Sequence, residues 1–167
     1  MAAEKKWLVF YTASRQEKKS ADILIADGYE VFLPTQIQVR QWSDRKKKVE
    51  VPLFNGYIFV KDIEKKIVEI LQTPGIVRNI RHNNKPAVLH EEEYQTILRF
   101  LNSGYFVEAD HQEIFDKGEK VKITEGQLKG LEGIITGTGS KKKFRVLIHA
   151  LGVNLTVTID SLALSKH

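Results

Sequence analysis

The chain has 167 residues, of which 42% are hydrophobic and 28% charged, with a formal net charge of +5 and no cysteine. That length holds one medium domain or two small ones. The missing cysteines exclude disulfides and thiolate metal sites, and no apolar run approaches the ~20 residues that cross a bilayer. A cytoplasmic, monomeric protein with no membrane partner is therefore expected.

Met1 to Lys6 resembles no secretory signal and leads into Trp7 to Thr12, a strand with large residues on both faces and so a central one. Ser14-Arg15-Gln16-Glu17 fits a capping box. The helix that follows carries Ala21, Leu24 and Ile25 on one face and stops at Gly28. Tyr29 to Leu33 is a strand ended by Pro34. Ile37 to Trp42 and Lys47 to Val51 are the arms of a hairpin with Ser43 to Lys46 at its tip.

Tyr57 to Lys61 is the next strand. Alternation places Tyr57 and Phe59 on one face and Ile58 and Val60 on the other. If helices cover the aliphatic face, the aromatic face is left for a partner, and its rings are large enough to anchor an interface.

Ile63, Ile67, Ile70 and Leu71 mark a second helix, ended by Thr73-Pro74-Gly75, and Ile76 to Ile80 returns as a strand. Asn83 to Pro86 is a turn, and Tyr94, Ile97, Leu98 and Leu101 mark a third helix. This order predicts an α+β domain, an antiparallel sheet flanked by helices.

After Tyr105-Phe106-Val107 the pattern changes. Glu108 to Glu113 is polar and aperiodic, and a linker over residues 108–115 is expected between domains at 1–107 and 116–167. Beyond it, β-branched runs alternate with glycines, which predicts a small SH3-like β-barrel of about five strands. Phe144, Val146 and Ile148 are expected in its core, and Leu151 to Leu155 at a partner-binding edge. Residues 1–115 carry 17 Lys/Arg against 16 Asp/Glu, and residues 116–167 carry 9 against 5. The positive excess therefore lies mostly in the C-terminal part.

The segments Trp7 to Thr12, Glu30-Val31-Phe32-Leu33-Pro34, Pro52-Leu53-Phe54-x-Gly56-Tyr57-x-Phe59-Val60 and Thr73-Pro74-Gly75-Ile76 resemble the N-terminal domain of NusG-type transcription elongation factors. Gly118-Glu119-x-Val121-x-Ile123-x-x-Gly126, followed by Gly130-x-x-Gly133-Ile134-Ile135, is similar to the KOW motif that opens the C-terminal barrel of the same family. Ile123-Thr124-Glu125-Gly126 leans towards specialised paralogues such as RfaH or UpxY.

The resemblance implies a transcription elongation and antitermination factor without a cofactor. Its N-terminal domain would dock on the clamp helices of RNA polymerase and suppress pausing, and its KOW domain would recruit Rho or a small-subunit ribosomal protein. Tyr11, Phe54, Tyr57 and Phe59 match the family's polymerase-binding patch, although the residues alone fit a core role equally well. Gln16 and Lys19 match positions facing the non-template DNA strand, and Arg45, Lys46, Lys47 and Lys48, beside Trp42, suit phosphate contact or simply a solvated tip. Where some specialised relatives carry a short His-Thr-Thr run, this chain has Lys65-Lys66-Ile67-Val68.

Two other readings compete. Gly56-Tyr57-Ile58-Phe59-Val60 partly matches the base-stacking signature of RRM domains, but Asn55 stands where a basic residue belongs. A ribosome-associated KOW protein is the second. Enzyme chemistry finds little support. The five histidines, at 82, 90, 111, 149 and 167, show no metal-ligand spacing. Gly137 to Lys141 lacks Walker spacing and reads as a tight turn.

Overall fold

Residues 3–110, 118–137, 140–160 and 164–166 are described in the computed structural model of the chain. The expected linker residues 111–115, the first two residues of the expected barrel domain, His111, His167, and Thr138 and Gly139 of the expected turn lie outside the described residues. In chain order, β1 (Lys6–Thr12) leads to α1 (Glu17–Ala26), β2 (Glu30–Phe32), and the hairpin β3 (Thr35–Gln41) and β4 (Lys46–Pro52). Then come β5 (Tyr57–Asp62), a 3-10 turn (Glu64–Lys66), α2 (Ile67–Ile70) and β6 (Ile76–Asn79). The short strands β7 (Arg81–His82), β8 (Lys85–Pro86) and β9 (Val88–Leu89) precede α3 (Glu91–Leu101). The rest is β: β10 (Glu108–Asp110), β11 (Glu119–Ile123), β12 (Glu132–Thr136), β13 (Lys141–Ile148), β14 (Val153–Asp160) and β15 (Leu164–Lys166).

Contacts group the chain into two units, Met1–Thr35 with Phe54–Glu91, and Gln36–Leu53 with Glu92–His167. In the first, the sheet order is β2-β5-β1-β6, with β9 also pairing β1, and these strands pair antiparallel. β1 is central, as its two-sided apolar sequence requires. Leu8, Phe10, Ile58 and Val60 share one face and bury against Leu24 of α1, Ile67 and Ile70 of α2, and Ile76. This is the helix-covered aliphatic face that strand alternation predicted. Tyr29, just beyond α1, hydrogen-bonds Glu69 of α2, and burial with that bond pushes its hydroxyl up to about 12.

Two local readings need correction here. Ser14 does not cap α1: Arg15 takes φ 61°, so the helix enters two residues later with Gln16 at its cap and no side-chain cap bond. The inward face of α1 runs through Glu17, Ser20, Ala21 and Leu24. Ile25 lies one residue, or ~100°, round from Leu24 and is 55% exposed.

In the second unit a six-stranded antiparallel sheet runs β10-β14-β13-β12-β11-β15. The expected linker therefore begins with a strand, because Glu108 to Asp110 pair with Asn154 to Thr156. That pairing also removes the expected partner-binding edge: β14 lies between β10 and β13, and Val153 and Leu155 are fully buried. Phe144 and Ile148 are core as expected, with Val146 half-buried.

From Glu92 onward α3 belongs to this unit, not to the first sheet. Its buried Phe100 stacks on Phe144 at 6.2 Å with the rings 10° from parallel. Arg99 donates to the carbonyls of Gln127 and Lys129, and the His149 amide donates to Glu93. Gln36, at the root of the hairpin, donates to the Val107 carbonyl and accepts from its amide.

Candidate functional site

The face of the first sheet opposite the helices is built from alternate residues: Trp7, Val9 and Tyr11 on β1, Tyr57 and Phe59 on β5, and Phe32 on β2. Cross-strand registration sets the ring contacts. Tyr11 opposes Tyr57 and their rings meet edge-on at 5.4 Å. Phe32 opposes Phe59 at 5.7 Å. Phe54 meets Phe59 edge-on at 6.1 Å, and Trp7 meets Phe32 at 5.9 Å.

Burial divides the four residues expected to form one patch. Phe59 and Phe54 are buried, at 0% and 2% exposure. Tyr11 and Tyr57 are half-buried, as is Phe32 on the β2 side of the same face. Phe59 lies two residues along β5 from Tyr57 on the same face, and Phe54 packs edge-on against it.

Gly56 places that pair. Its φ of +84° is the left-handed region that glycine enters freely. A Cβ there would come within 2.7 Å of the Tyr11 ring. Its carbonyl accepts from the Thr12 amide at 2.7 Å, and its amide donates to the buried Glu17 carboxylate at 2.9 Å. Glu17 therefore serves the loop before β5 rather than its own helix cap.

Arg78 was not anticipated at this site. Its guanidinium lies 5.2 Å from the centre of the Tyr11 ring. Counting by two from the buried Ile76 would put Arg78 on the helix-covered face. Tyr11 pairs with Arg78 but Thr12 pairs with Ile76, so β6 holds one extra residue, Val77, against β1. Period-two counting has no signal for such a bulge.

The basic tip lies in the other unit. The turn closes through Trp42 N–H to the Arg45 carbonyl at 2.8 Å. Arg45, Lys46, Lys47 and Lys48 are all exposed. Lys47 sits 4.5 Å and Arg45 5.9 Å from the centre of the Trp42 ring, which is 44% exposed. Gln16, half-buried, and Lys19, exposed, belong to the first unit at the start of α1.

The remaining predicted residues do structural work in the second unit. Val121 and Ile123 are buried. Gly126 and Gly130 adopt φ +83° and +91° in the turn after β11. A Cβ on Gly118 would strike Ile134 and the Ile135 carbonyl, and one on Gly133 would strike Phe144 and the Arg145 carbonyl.

Among the described residues no group of three or more His, Cys, Asp or Glu could hold a metal ion. None of their helices is long and apolar enough to cross a membrane.

Comparison with known proteins gives one answer. The family model described as transcription termination factor nusG matches residues 5–98. The transcription termination/antitermination protein NusG of Borreliella burgdorferi is 25% identical, across 92% of this chain and 94% of that protein. Its counterpart in Lactococcus lactis is 28% identical, across 92% and 83%. A solved structure of Thermotoga maritima NusG, 22% identical, covers 97% of both chains with a TM-score of 0.57 and so shares the fold.

Proposed function

The chain belongs to the NusG family of transcription termination/antitermination proteins, and from that premise we propose that it binds RNA polymerase through the Tyr11–Tyr57 surface and suppresses pausing or termination. The observation that carries the reading is the ring pair, half-buried on the face opposite the helices and closely packed by Gly56, within the segment that the family model covers. The target surface is the pair of clamp helices. A ligand that binds the closed clamp better than the open one shifts the enzyme towards elongation, by its differential affinity alone.

The sheet of the first unit supplies the docking function, and the β-rich unit that carries the KOW residues recruits Rho or a small-subunit ribosomal protein. The test is whether the purified full chain co-migrates with core RNA polymerase and lengthens transcripts past pause sites. Association with free RNA alone would favour the RNA-binding alternative instead.

The hairpin carries a second contact in this reading. Arg45 to Lys48 line the exposed tip, and Trp42 offers an aromatic face beside two cations. Such a set fits the backbone and bases of DNA near the polymerase, the non-template strand included, and Gln16 and Lys19 would add contacts on the first unit. Replacing Arg45 to Lys48 together by Gln should weaken binding of a single-stranded DNA oligomer. It should also flatten the salt dependence by about three units of log–log slope if each of the four cations meets a phosphate, at ~0.7 per contact. An unchanged slope would leave the tip a solvated turn.

A further inference from the structure

Arg78 changes what the tyrosine pair can recognise. The extra residue Val77 lets Ile76 stay in the apolar cluster beneath the helices while Arg78, two positions on, faces Tyr11. Bulges re-aim side chains in this way. Val77 itself is 58% exposed. The guanidinium is placed by the ring 5.2 Å away. A cation over an aromatic face is held by the ring quadrupole and keeps its N–H donors for other partners. No carboxylate of the described residues pairs with Arg78.

We propose that Arg78 is the specificity-determining residue of this docking surface, selecting a protein partner that presents an Asp or Glu carboxylate beside an apolar side chain. The apolar side chain seats against Tyr11 and Tyr57, and the carboxylate takes the planar fork of the guanidinium. The inference rests on the reading of the tyrosine pair as the polymerase-docking surface.

Charge distribution favours a protein over a nucleic acid. A strand-binding groove needs cations spaced along a backbone. The chain neighbours of Tyr11, Tyr57 and Arg78, namely Phe10, Thr12, Gly56, Ile58, Val77 and Asn79, are uncharged, and the Glu17 carboxylate beside them is held by the Gly56 amide. Arg78 is a single exposed cation over the Tyr11 ring, which suits one acidic side chain.

The experiment titrates core RNA polymerase, and separately a 20-nucleotide single-stranded DNA, with the full chain and its Arg78→Gln, Arg78→Lys and Tyr57→Ala variants at low and high salt. Arg78→Gln should bind polymerase about tenfold more weakly, the effect of one charge-assisted bidentate pair, with a flatter salt dependence and an unchanged melting temperature. Arg78→Lys should not restore the affinity, since an ammonium lacks the fork. Wild-type affinity in either Arg78 variant, with Tyr57→Ala impaired, would overturn this inference and leave the docking surface standing. Wild-type affinity in Tyr57→Ala as well would remove the docking surface itself. A loss confined to the DNA oligomer would make Arg78 a nucleic-acid contact and overturn the proposal.

Discussion

Replacing Phe59 with Ala should destabilise the protein by about 3–5 kcal/mol, the range for deleting a fully buried aromatic side chain. Phe59 has no exposed surface and lies against Phe32 and Phe54 at 5.7 and 6.1 Å. It sits on β5, between β1 and β2, where neighbouring strands hold the backbone and resist collapse into the hole. Urea unfolding should show a lower midpoint with an unchanged slope. A loss below ~1 kcal/mol would mean that the ring does not fill a rigid site. Any binding defect in this variant would report lost structure rather than a lost contact.

Tyr57→Ala should behave oppositely. Tyr57 is half-buried and meets Tyr11 at the solvent end of the same face. Its truncation should cost ~2 kcal/mol or more in polymerase affinity, about thirtyfold. The stability cost should stay well below that of Phe59→Ala, because less surface leaves water in the folded state. Cooperative melting with weakened binding is the expected pair of results. Equal affinity of the variant and the wild type would take the tyrosine pair out of the interface.

The contrast between these two residues marks how far the sequence could be read. Alternation placed Tyr57 and Phe59 on one face and Ile58 and Val60 on the other, and the sheet has that arrangement. What alternation cannot state is depth along a face. Phe59 is central and buried, whereas Tyr57 begins the strand beside Gly56 and reaches solvent. Strand order was beyond local pattern too, because it is set by long-range pairing.

The misses have physical causes of the same kind. Glu17 looked like half of a capping box, but the Gly56 amide, 39 residues away, takes its carboxylate. Glu108 to Asp110 looked like linker because polar residues at a sheet margin carry no apolar rhythm, yet their backbone pairs with β14. The stripe on α3 was legible as buried, but not which surface would bury it: Phe100 stacks on Phe144 of the β-rich unit. Arg78 was hidden by a single inserted residue in β6. Gly126 and Gly130 of the β-rich unit were the most legible signal, since a positive φ is a local requirement, whereas Gly118 and Gly133 are demanded by residues of other strands.

The most direct test places a photo-reactive side chain at position 57 in one variant and at position 68 in another, each mixed with core RNA polymerase. Val68 is 70% exposed on α2, on the other side of the first sheet from Tyr57, and serves as the control. The account predicts cross-links from position 57 to the polymerase clamp and none from position 68. Cross-links from position 68 alone would contradict it.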